Sequence, residues 1–382
     1  MPGANYSKNE VKPLILKGID TLEFGLDVED YLPTFNSYLD YFKKLKEAAQ
    51  TSGVEQTLTI GNLTLTVHRT GIPFYAYKLT CNDFSICFMD KEMKGNSPIF
   101  VRLMSSFLWS YGYKQAYYNF LEWFLCFQPN LSGIRLSRSD ICVDLDEASF
   151  KQCDSKGVVK RARRQIEHFV NGEYKEGRKF SGFTIGGGGP ILARIYNKSL
   201  EVKKSQKLWF QDIWRENGWN ESKEVWRVEF QIRREALKEF SIHSANELFD
   251  NEDQLWAYLT EEWLTIKQPT KDNVSRWKIK RKWKLVQTAG MNYKPSPLIR
   301  ERVKKANLKQ LLDQAAGLML SVAALSNHDS FKDTTQKVQS WAENNLIKKN
   351  TSFLKEKQLR RGKYLFAEDA SNITGGTENE ST

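Results

Sequence analysis

The sequence lacks the cysteine and histidine spacings of common metal-binding and disulfide motifs. Its five cysteines include no Cys-x-x-Cys pair, and none has a histidine at zinc-ligand spacing. A scattered, odd-numbered set argues against a disulfide framework and predicts reduced thiols in a cytoplasmic protein. The four histidines, His68, His168, His243 and His328, are isolated and include no His-hydrophobic-His triplet. A histidine-ligated metal site is therefore not expected.

Long hydrophobic runs and phosphate-binding loops are missing as well. The N-terminal stretch has no apolar signal-peptide core, and no segment reaches the ~18 apolar residues that a membrane-spanning helix needs. Gly186–Gly189 are not followed by Gly-Lys-Ser/Thr, so they are not a P-loop, and they read as a hairpin turn. These absences exclude a membrane protein and a Walker-type ATPase.

What the chain has in excess is positive charge and aromatic side chains. The formal net charge is +11 and aromatic residues make up 13% of the 382 residues. An excess of this size indicates a polyanionic partner, and without a membrane segment nucleic acid comes before an acidic lipid surface. The alternative is a basic protein whose charge serves only its solubility.

The pattern of the chain predicts an α+β fold followed by a helical C-terminal region. Residues 1–12 are predicted to be a flexible arm, 13–245 an α+β domain on a central antiparallel sheet, 246–366 mostly helical, and 367–382 a disordered tail. Strands are predicted at 14–24, within 55–90, at 99–103 and 135–146, on either side of Gly186–Gly189, and at 225–235. Helices are predicted at 29–50, 111–127, 155–171, 200–216, 252–266, 296–326 and 330–348.

The first motif that carries chemistry is RLSRSDICVDLD, residues 135–146. Because successive side chains of a strand point to opposite faces, Asp140, Cys142, Asp144 and Asp146 share one face. Carboxylates crowded on one strand face repel each other unless a cation lies among them, and hard oxygen ligands suit Mg²⁺ or Mn²⁺. The alternative is an edge strand whose acidic residues face water.

The second motif is LARIYNKSLE, residues 192–201, in which Arg194, Tyr196 and Lys198 share one strand face. Two flanking cations should lower the pKa of the Tyr196 hydroxyl and attract a phosphodiester to the same place. A tyrosine activated in this way can act as a covalent nucleophile. The alternative is an ordinary surface trio of polar side chains.

The third motif is VWRVEFQIRRE, residues 225–235, with Arg227, Glu229, Gln231 and Arg233 on one face. Glu229 either completes a metal site with Asp140 and Asp144 or forms an ion pair with an arginine on a neighbouring strand.

Two further segments are rich in positive charge. The predicted helix at 155–171 carries Lys160, Arg161, Arg163 and Arg164, which form either a solvated face or a phosphate-binding face. In the segment from Arg276 to Lys284, alternation places Trp277, Ile279 and Trp283 on one face of a strand, interrupted by Arg281. The opposite face is basic and is interpreted as a phosphate-binding face. Its cations are Arg276, Lys278, Lys280, Lys282 and Lys284.

The three motifs, in this order, resemble the replication initiation factor family, which includes initiators of rolling-circle plasmids and relaxases of integrative conjugative elements. The matching features are R-x-D-x-x-x-D from Arg138, R-x-Y-x-K-x-x-E from Arg194, and R-x-E-x-Q-x-R from Arg227. The resemblance covers roughly residues 15–245. It implies a central antiparallel sheet related to the HUH endonucleases.

The resemblance also implies residue roles. The catalytic tyrosine of the family corresponds to Tyr196, with Arg194 and Lys198 beside it, and the acidic metal ligands correspond to Asp140, Asp144 and Glu229, with Asp20 a further candidate. The implied activity is site-specific DNA nicking through a 5′-phosphotyrosine, assisted by a divalent cation. Arg138, Arg227 and Arg233 would contact DNA.

Three hypotheses follow for the biological role. The first is an initiator of rolling-circle replication of a plasmid or phage, which would need a separate host helicase because the chain has no Walker motif. The second is a conjugative relaxase with the same chemistry, and the third is a non-catalytic DNA-binding regulator. An apolar stripe at 308–325 is interpreted as a helix-packing core or a homodimer contact.

Overall fold

The computed structural model describes residues 13–171, 178–271, 273–289 and 308–361. The predicted arm at 1–12, the predicted tail at 367–382 and the first part of the helix predicted at 296–326 lie outside the described residues. The chain divides into two compact units, Met1–Arg300 and Glu301–Thr382.

The first unit is built on an antiparallel sheet that has eleven strands within the described residues. The order of the strands is β2-β3-β4-β5-β6-β1-β7-β12-β11-β10-β9, and the α+β class with a central antiparallel sheet is confirmed. The strands of this sheet are β1 (Ile15–Val28), β2 (Gln56–Ile60), β3 (Leu63–Val67), β4 (Tyr77–Thr80), β5 (Phe84–Phe88), β6 (Ile99–Leu103), β7 (Leu131–Leu145), β9 (Gln165–Asn171), β10 (Arg178–Ile185), β11 (Ile191–Asn197) and β12 (Trp226–Arg233). A separate ribbon pairs β8 (Val158–Lys160) with β13 (Leu264–Ile266).

One face of the sheet is apolar and carries the main core. Ile141, Val143 and Leu145 of β7 point to this face, as their alternation predicts, and all three are fully buried. Aromatic side chains from the helices cover it, with Phe35 and Phe120 as examples. The helices of this unit are α1 (Tyr31–Ser52), α2 (Ser105–Tyr111), α3 (Tyr113–Phe124), α4 (Lys198–Ser205), α5 (Trp209–Glu216), α6 (Arg234–Glu239), α7 (Ala245–Asp250), α8 (Glu252–Ala257) and α9 (Arg281–Gln287).

The opposite face of the sheet is polar, and α4 and α5 cover only one end of it. There Phe210 and Trp214 of α5 pack with Val202 of α4 in a second, smaller core. Trp214 reaches down to the carboxylate of Asp144, so this small core lies directly beside the predicted site. The rest of the polar face carries the three motifs.

The segment 155–171 is not the predicted helix. It contains a 3-10 turn (Gln152–Gly157), then β8 and β9, with β9 on the edge of the large sheet. Val158, Val159, Ile166 and Val170 are β-branched residues, which favour extended backbone, and the basic residues between them misled the helical interpretation.

The basic segment after residue 273 is not a strand either. A 3-10 turn at Val274–Arg276 is followed by α9, in which Trp283 and Val286 are buried at helical spacing. Trp256 of α8 and Trp263 pack in the same core as the sheet, so the first unit continues past the predicted boundary at 245. The segment 252–266 was predicted to be one helix. In the structure α8 is followed by a π-helix at Tyr258–Trp263 and then by β13.

Three other boundaries differ from the predictions. The helix predicted at 111–127 begins only after Gly112, as α3, because Gly112 adopts a positive φ of 78° that a helix does not allow, and it ends in a 3-10 turn at Leu125–Phe127. The helix predicted at 200–216 is two helices, α4 and α5. The strand predicted at 225–235 ends at Arg233, and α6 begins at the next residue, Arg234.

The second unit is helical, as predicted. It consists of α10 (Leu308–Ser326), α11 (Phe331–Lys348) and α12 (Phe353–Arg361). The side chain of Ser330 caps α11 by accepting a hydrogen bond from the backbone N–H of Asp333 at 3.1 Å. Leu318, Leu325 and Trp341 are exposed on these helices, and a homodimer contact here stays a prediction. Within the described ranges, no helix combines the length and apolar character needed to cross a membrane.

Candidate active site and nucleic-acid interface

The three motifs come together because their strands are neighbours in the sheet. β7 pairs with β12, and β12 pairs with β11, so that Asp144, Arg227 and Tyr196 form one row across three strands. The next row on the same face contains Cys142, Glu229 and Arg194. Paired residues of adjacent strands point to the same face, so all six side chains lie on the polar face.

Tyr196 is half-buried in this face, and its hydroxyl donates a hydrogen bond to Oε2 of Glu229 at 3.1 Å. Burial, together with the negative charge of Glu229, raises the pKa of Tyr196 well above its ordinary value. The predicted lowering of this pKa is therefore wrong. The hydroxyl keeps its proton at neutral pH and needs a base to remove it.

The two flanking cations, Arg194 and Lys198, are bound by other groups, which explains why they do not lower the pKa of Tyr196. Arg194 donates to Oε1 of Glu229 at 2.5 Å and to Oε1 of Gln231 at 2.9 Å. Lys198 is the first residue of α4 and not part of the strand. Its buried ammonium lies 2.5 Å from Glu201 and 5.8 Å from the centroid of the Tyr196 ring. Both cations stay near Tyr196, but carboxylates already neutralise them.

Arg227 is fully buried and holds two carboxylates. Its Nε and Nη2 donate to the two oxygens of Asp144 at 2.6 and 2.8 Å, and its Nη1 donates to Asp20 at 2.5 Å. The guanidinium packs against the rings of Trp109 and Phe210, 5.2 and 4.8 Å from their centroids. An arginine with no exposed surface cannot contact DNA, so its predicted role as a DNA contact is wrong.

Asp20, a weak candidate in the sequence, is a central member of the site. Besides Arg227, Ser105 and the indole of Trp109 donate to it at 2.8 and 3.1 Å. The outer edge of the Trp109 indole packs against Gly18, where a Cβ would come within 2.8 Å of the ring. The roles of Trp109 and Trp214 were missed, since an isolated tryptophan in a helix gives no indication of a polar partner.

The predicted metal ligands are not arranged as a ligand set. Asp144 is sealed by Arg227 and by Trp214, whose indole donates to it at 2.9 Å. Asp140 accepts two hydrogen bonds from Arg138 at 2.8 and 2.5 Å, and Glu229 is held by Arg194. Within the part of the chain that the structure describes, no three His, Cys, Asp or Glu side chains are grouped to hold a metal ion. A cation would have to displace arginines, so the trio as it stands does not fit one.

The remaining carboxylates nevertheless influence each other. Burial, then the charges of Asp20 and Asp140, raise the pKa of Glu229. Burial also raises the pKa of Asp140, although its bonds to Arg138 oppose the effect. A carboxylate whose pKa is raised in this way is a better proton acceptor near neutral pH than an ordinary surface glutamate.

The predicted DNA-binding cations fall into two groups. Some are engaged within the protein: Arg138 binds Asp140 and Glu23, and Lys280 and Lys282 both bind Asp154, at 2.6 and 2.7 Å. The cations that are exposed are Arg161, Arg163, Arg164, Arg233, Arg276, Lys278 and Lys284. Of these, Arg161 forms a surface ion pair with Glu262 at 2.8 Å.

This chain was compared with family models, curated proteins and solved structures. No family model matches it, and no curated protein sequence matches it. Among solved structures, the rolling circle replication initiator protein from Geobacillus stearothermophilus is similar over 75% of this chain and 99% of that chain, with 13% sequence identity and a TM-score of 0.42. A likeness of this extent carries no argument about residues or activity.

Proposed function

We propose that this protein nicks DNA at a specific site with Tyr196 as the nucleophile, and that it initiates rolling-circle replication of a plasmid or phage. The observation that carries the proposal is the hydrogen bond from the Tyr196 hydroxyl to Glu229, on an open sheet face with cations on either side. A tyrosine with a raised pKa becomes a nucleophile only if a base removes its proton, and Glu229 is placed to do so. The proposal requires a separate helicase to unwind DNA.

In this mechanism each charged neighbour has a definite task. Glu229 accepts the phenolic proton as the tyrosine oxygen attacks phosphorus, and Arg194 holds the carboxylate of Glu229 in position from its other side. Arg194 is also the more exposed cation of the site and is shaped to grip a phosphate oxygen. The product is a 5′-phosphotyrosine and a free 3′-hydroxyl. Arg227 and Lys198 are both buried, so they influence Tyr196 electrostatically and do not contact DNA directly.

A divalent cation, Mg²⁺ or Mn²⁺, stays a prediction and no step depends on it here. The predicted ligands Asp140, Glu229 and Asp144 are each bound by an arginine in the structure.

The proposal is tested by trapping the covalent product. Supercoiled plasmid carrying the cognate origin is incubated with the protein in Mg²⁺ or Mn²⁺, with a chelator arm in parallel. We expect open circular DNA and a protein–DNA adduct that survives detergent, with the modified peptide containing Tyr196 by mass spectrometry. DNA binding without an adduct would identify a non-catalytic DNA-binding protein, and an adduct on another residue would overturn the role of Tyr196.

Replacing Glu229 with glutamine should slow nicking by about 10²–10⁴-fold, since general base catalysis contributes on this scale. The base must be ionised to work, so the wild-type rate should rise with pH through the raised pKa of Glu229 and level off above it. The variant should lose that rising limb. The single-turnover rate between pH 5 and 9 measures both effects. A variant that keeps the wild-type pH profile would show that another group removes the proton.

The exposed cations beside β9 should strengthen DNA binding without base specificity. Replacing both Arg163 and Arg164 with alanine should reduce the slope of log affinity against log salt by roughly two, because each phosphate contact contributes about 0.9. Replacing Lys280 and Lys282, which Asp154 holds, is the matched control and should change that slope less. Equal changes in the two double variants would contradict this assignment.

A further inference from the structure

An exposed phenylalanine, Phe74, lies in the tight turn between β3 and β4. The turn runs from Ile72 to Tyr75, and the backbone N–H of each of these two residues donates to the carbonyl of the other, at 3.0 and 2.9 Å. Pro73 has its φ fixed at about −65°, and Phe74 has a φ of 73°. This is the pattern of a type II turn, whose second central residue is normally glycine or asparagine. A large apolar ring therefore occupies a position that favours glycine.

The ring of Phe74 does little within the fold to offset this backbone strain. The residue is 64% exposed, so most of its apolar surface is in contact with water. A bulky side chain in the left-handed region is a genuine outlier, and such outliers cluster at sites that bind ligands. The strain and the exposure together indicate that the ring contacts something outside the chain.

The turn is attached to the polar face of the sheet. The hydroxyl of Tyr75 donates to the backbone carbonyl of Ser97 at 3.0 Å, and its ring lies 5.7 Å from the ring of Phe100 on β6. Phe100 and Arg102 are two residues apart on this strand, so their side chains point to the same face. Arg102 lies 3.6 Å from Glu23 of β1, which brings the turn next to the charged side chains of the candidate site.

A continuous series of side-chain contacts leads from Arg102 across the polar face to Tyr196. The series runs from Arg102 to Glu23 (3.6 Å), Arg138 (3.2 Å), Asp140 (2.5 Å), Arg194 (3.9 Å), Glu229 (2.5 Å) and Tyr196 (3.1 Å). Its three arginines are partly exposed, so phosphates can follow them. The series spans β6 to β11, four strand spacings or about 19 Å.

A nucleobase suits this single ring better than a protein surface does. A phenylalanine buries about 150–250 Å², whereas a stable protein interface buries roughly 800 Å² on each partner. A cationic track with an aromatic side chain beside it is the combination that binds single-stranded DNA, because phosphates follow the cations and unpaired bases stack on the ring. Paired bases are already stacked on each other and do not offer a free face.

We propose that Phe74 stacks on an unpaired base of a DNA strand that crosses the polar face from Tyr196 to this turn. The inference rests on the proposed function, which brings single-stranded DNA to this face. Tyr196 and Arg194 hold the strand at one end of the track, and Phe74 holds a base at the other. The strained turn presents the ring in a fixed position, so little conformational entropy is lost when the base stacks on it.

The test measures binding to three labelled DNA probes of equal length by fluorescence anisotropy. The probes are single-stranded oligothymidylate, the same sugar–phosphate strand without bases, and a duplex. Phe74→Ala should bind oligothymidylate roughly 5–150-fold more weakly, because stacking of a base on an aromatic ring contributes on this scale. Its affinity for the strand without bases and for the duplex should equal that of the wild-type protein. Equal losses on all three probes, or no loss on oligothymidylate, would overturn the role of Phe74.

Two further variants separate stacking from a structural role. Phe74→Gly relieves the positive φ, so it should lose the same affinity for oligothymidylate while its urea midpoint of unfolding is at or above that of the wild-type protein. A lowered midpoint in both Phe74 variants would indicate a structural residue instead. Tyr41→Ala is the matched control, since it removes an exposed ring from α1, which covers the apolar face, and it should change neither binding nor the midpoint.

Covalent adduct formation by the wild-type protein is scored separately, because the binding assay does not require cleavage. An adduct on Tyr196 without the base-dependent loss in Phe74→Ala would overturn the stacking role alone. The base-dependent loss without any adduct would support the stacking role and overturn the nicking proposal. Failure of the wild-type protein to bind oligothymidylate more tightly than the strand without bases would overturn this inference.

Discussion

A protein with phenylalanine in place of Tyr196 is expected to give no nicked plasmid and no covalent adduct. The substitution removes one oxygen atom, and that atom is the proposed nucleophile. Enzymes deprived of their nucleophile lose on the order of 10⁶-fold in rate, so nicking should fall to background. The ring remains, and so does its packing under Lys198. DNA affinity should therefore stay close to that of the wild-type protein.

Tyr41→Phe is the matched control, because it makes the same chemical change on an exposed part of α1. It should nick and form the adduct at the wild-type rate. Both variants are followed by conversion of supercoiled to open circular DNA, by the adduct on a denaturing gel, and by DNA binding. Undiminished nicking by Tyr196→Phe would remove this residue from the mechanism. A simultaneous loss of binding would instead indicate a structural role for its hydroxyl.

Strand periodicity was sufficient to predict which side chains share the polar face. In the 135–146 motif, for example, alternation alone separates Asp140 and Asp144 from Ile141 and Val143, and the structure has the same division. Alternation works here because the strand is long and one of its faces is apolar. It says nothing about which strands are neighbours, and that order decides which charges meet.

The contacts that determine the chemistry of the site come from the order of the strands. Asp144 and Arg227 are 83 positions apart in the chain, yet they pair directly across β7 and β12. The sequence interpretation assigned Arg227 to DNA binding and Asp144 to metal binding, and so treated both charges as unpaired. In the structure the two side chains form an ion pair, so Asp144 is not free to bind a metal and Arg227 is not free to bind DNA.

The pKa of Tyr196 failed as a prediction for a related reason. Counting nearby cations assumes that they are free to act on the hydroxyl, but Arg194 and Lys198 bind Glu229 and Glu201 more closely. Burial then dominates.

Arg227→Met should be the most destabilising single change in the site. The guanidinium is fully buried and neutralises Asp144 and Asp20, so its removal leaves two carboxylates without their partner. Breaking a buried ion pair from one side costs about 3–5 kcal/mol in the free energy of unfolding. Urea denaturation measures this cost. The double variant Arg227→Met, Asp144→Asn should recover part of it, because one of the stranded charges is gone.

The cost of Arg227→Met should also depend on pH in a defined direction. Burial by itself would raise the pKa of Asp20, but the charges of Arg227 and Lys198 hold that pKa below its ordinary value. In the wild type Asp20 therefore adds stability above the unfolded pKa, and that stability is lost as the pH falls. Without Arg227 its pKa rises, and protonation relieves the buried charge. The difference in unfolding free energy between the two proteins should therefore begin to narrow above about pH 4, as the pH falls through the raised pKa of the variant, and should keep narrowing at lower pH. Arg215→Met, which removes an exposed arginine bound to Asp212 and Glu221, should show neither the cost nor the narrowing. A difference that stays constant as the pH falls would mean that Arg227 stabilises the fold by packing against Trp109 and Phe210 and not through its charge.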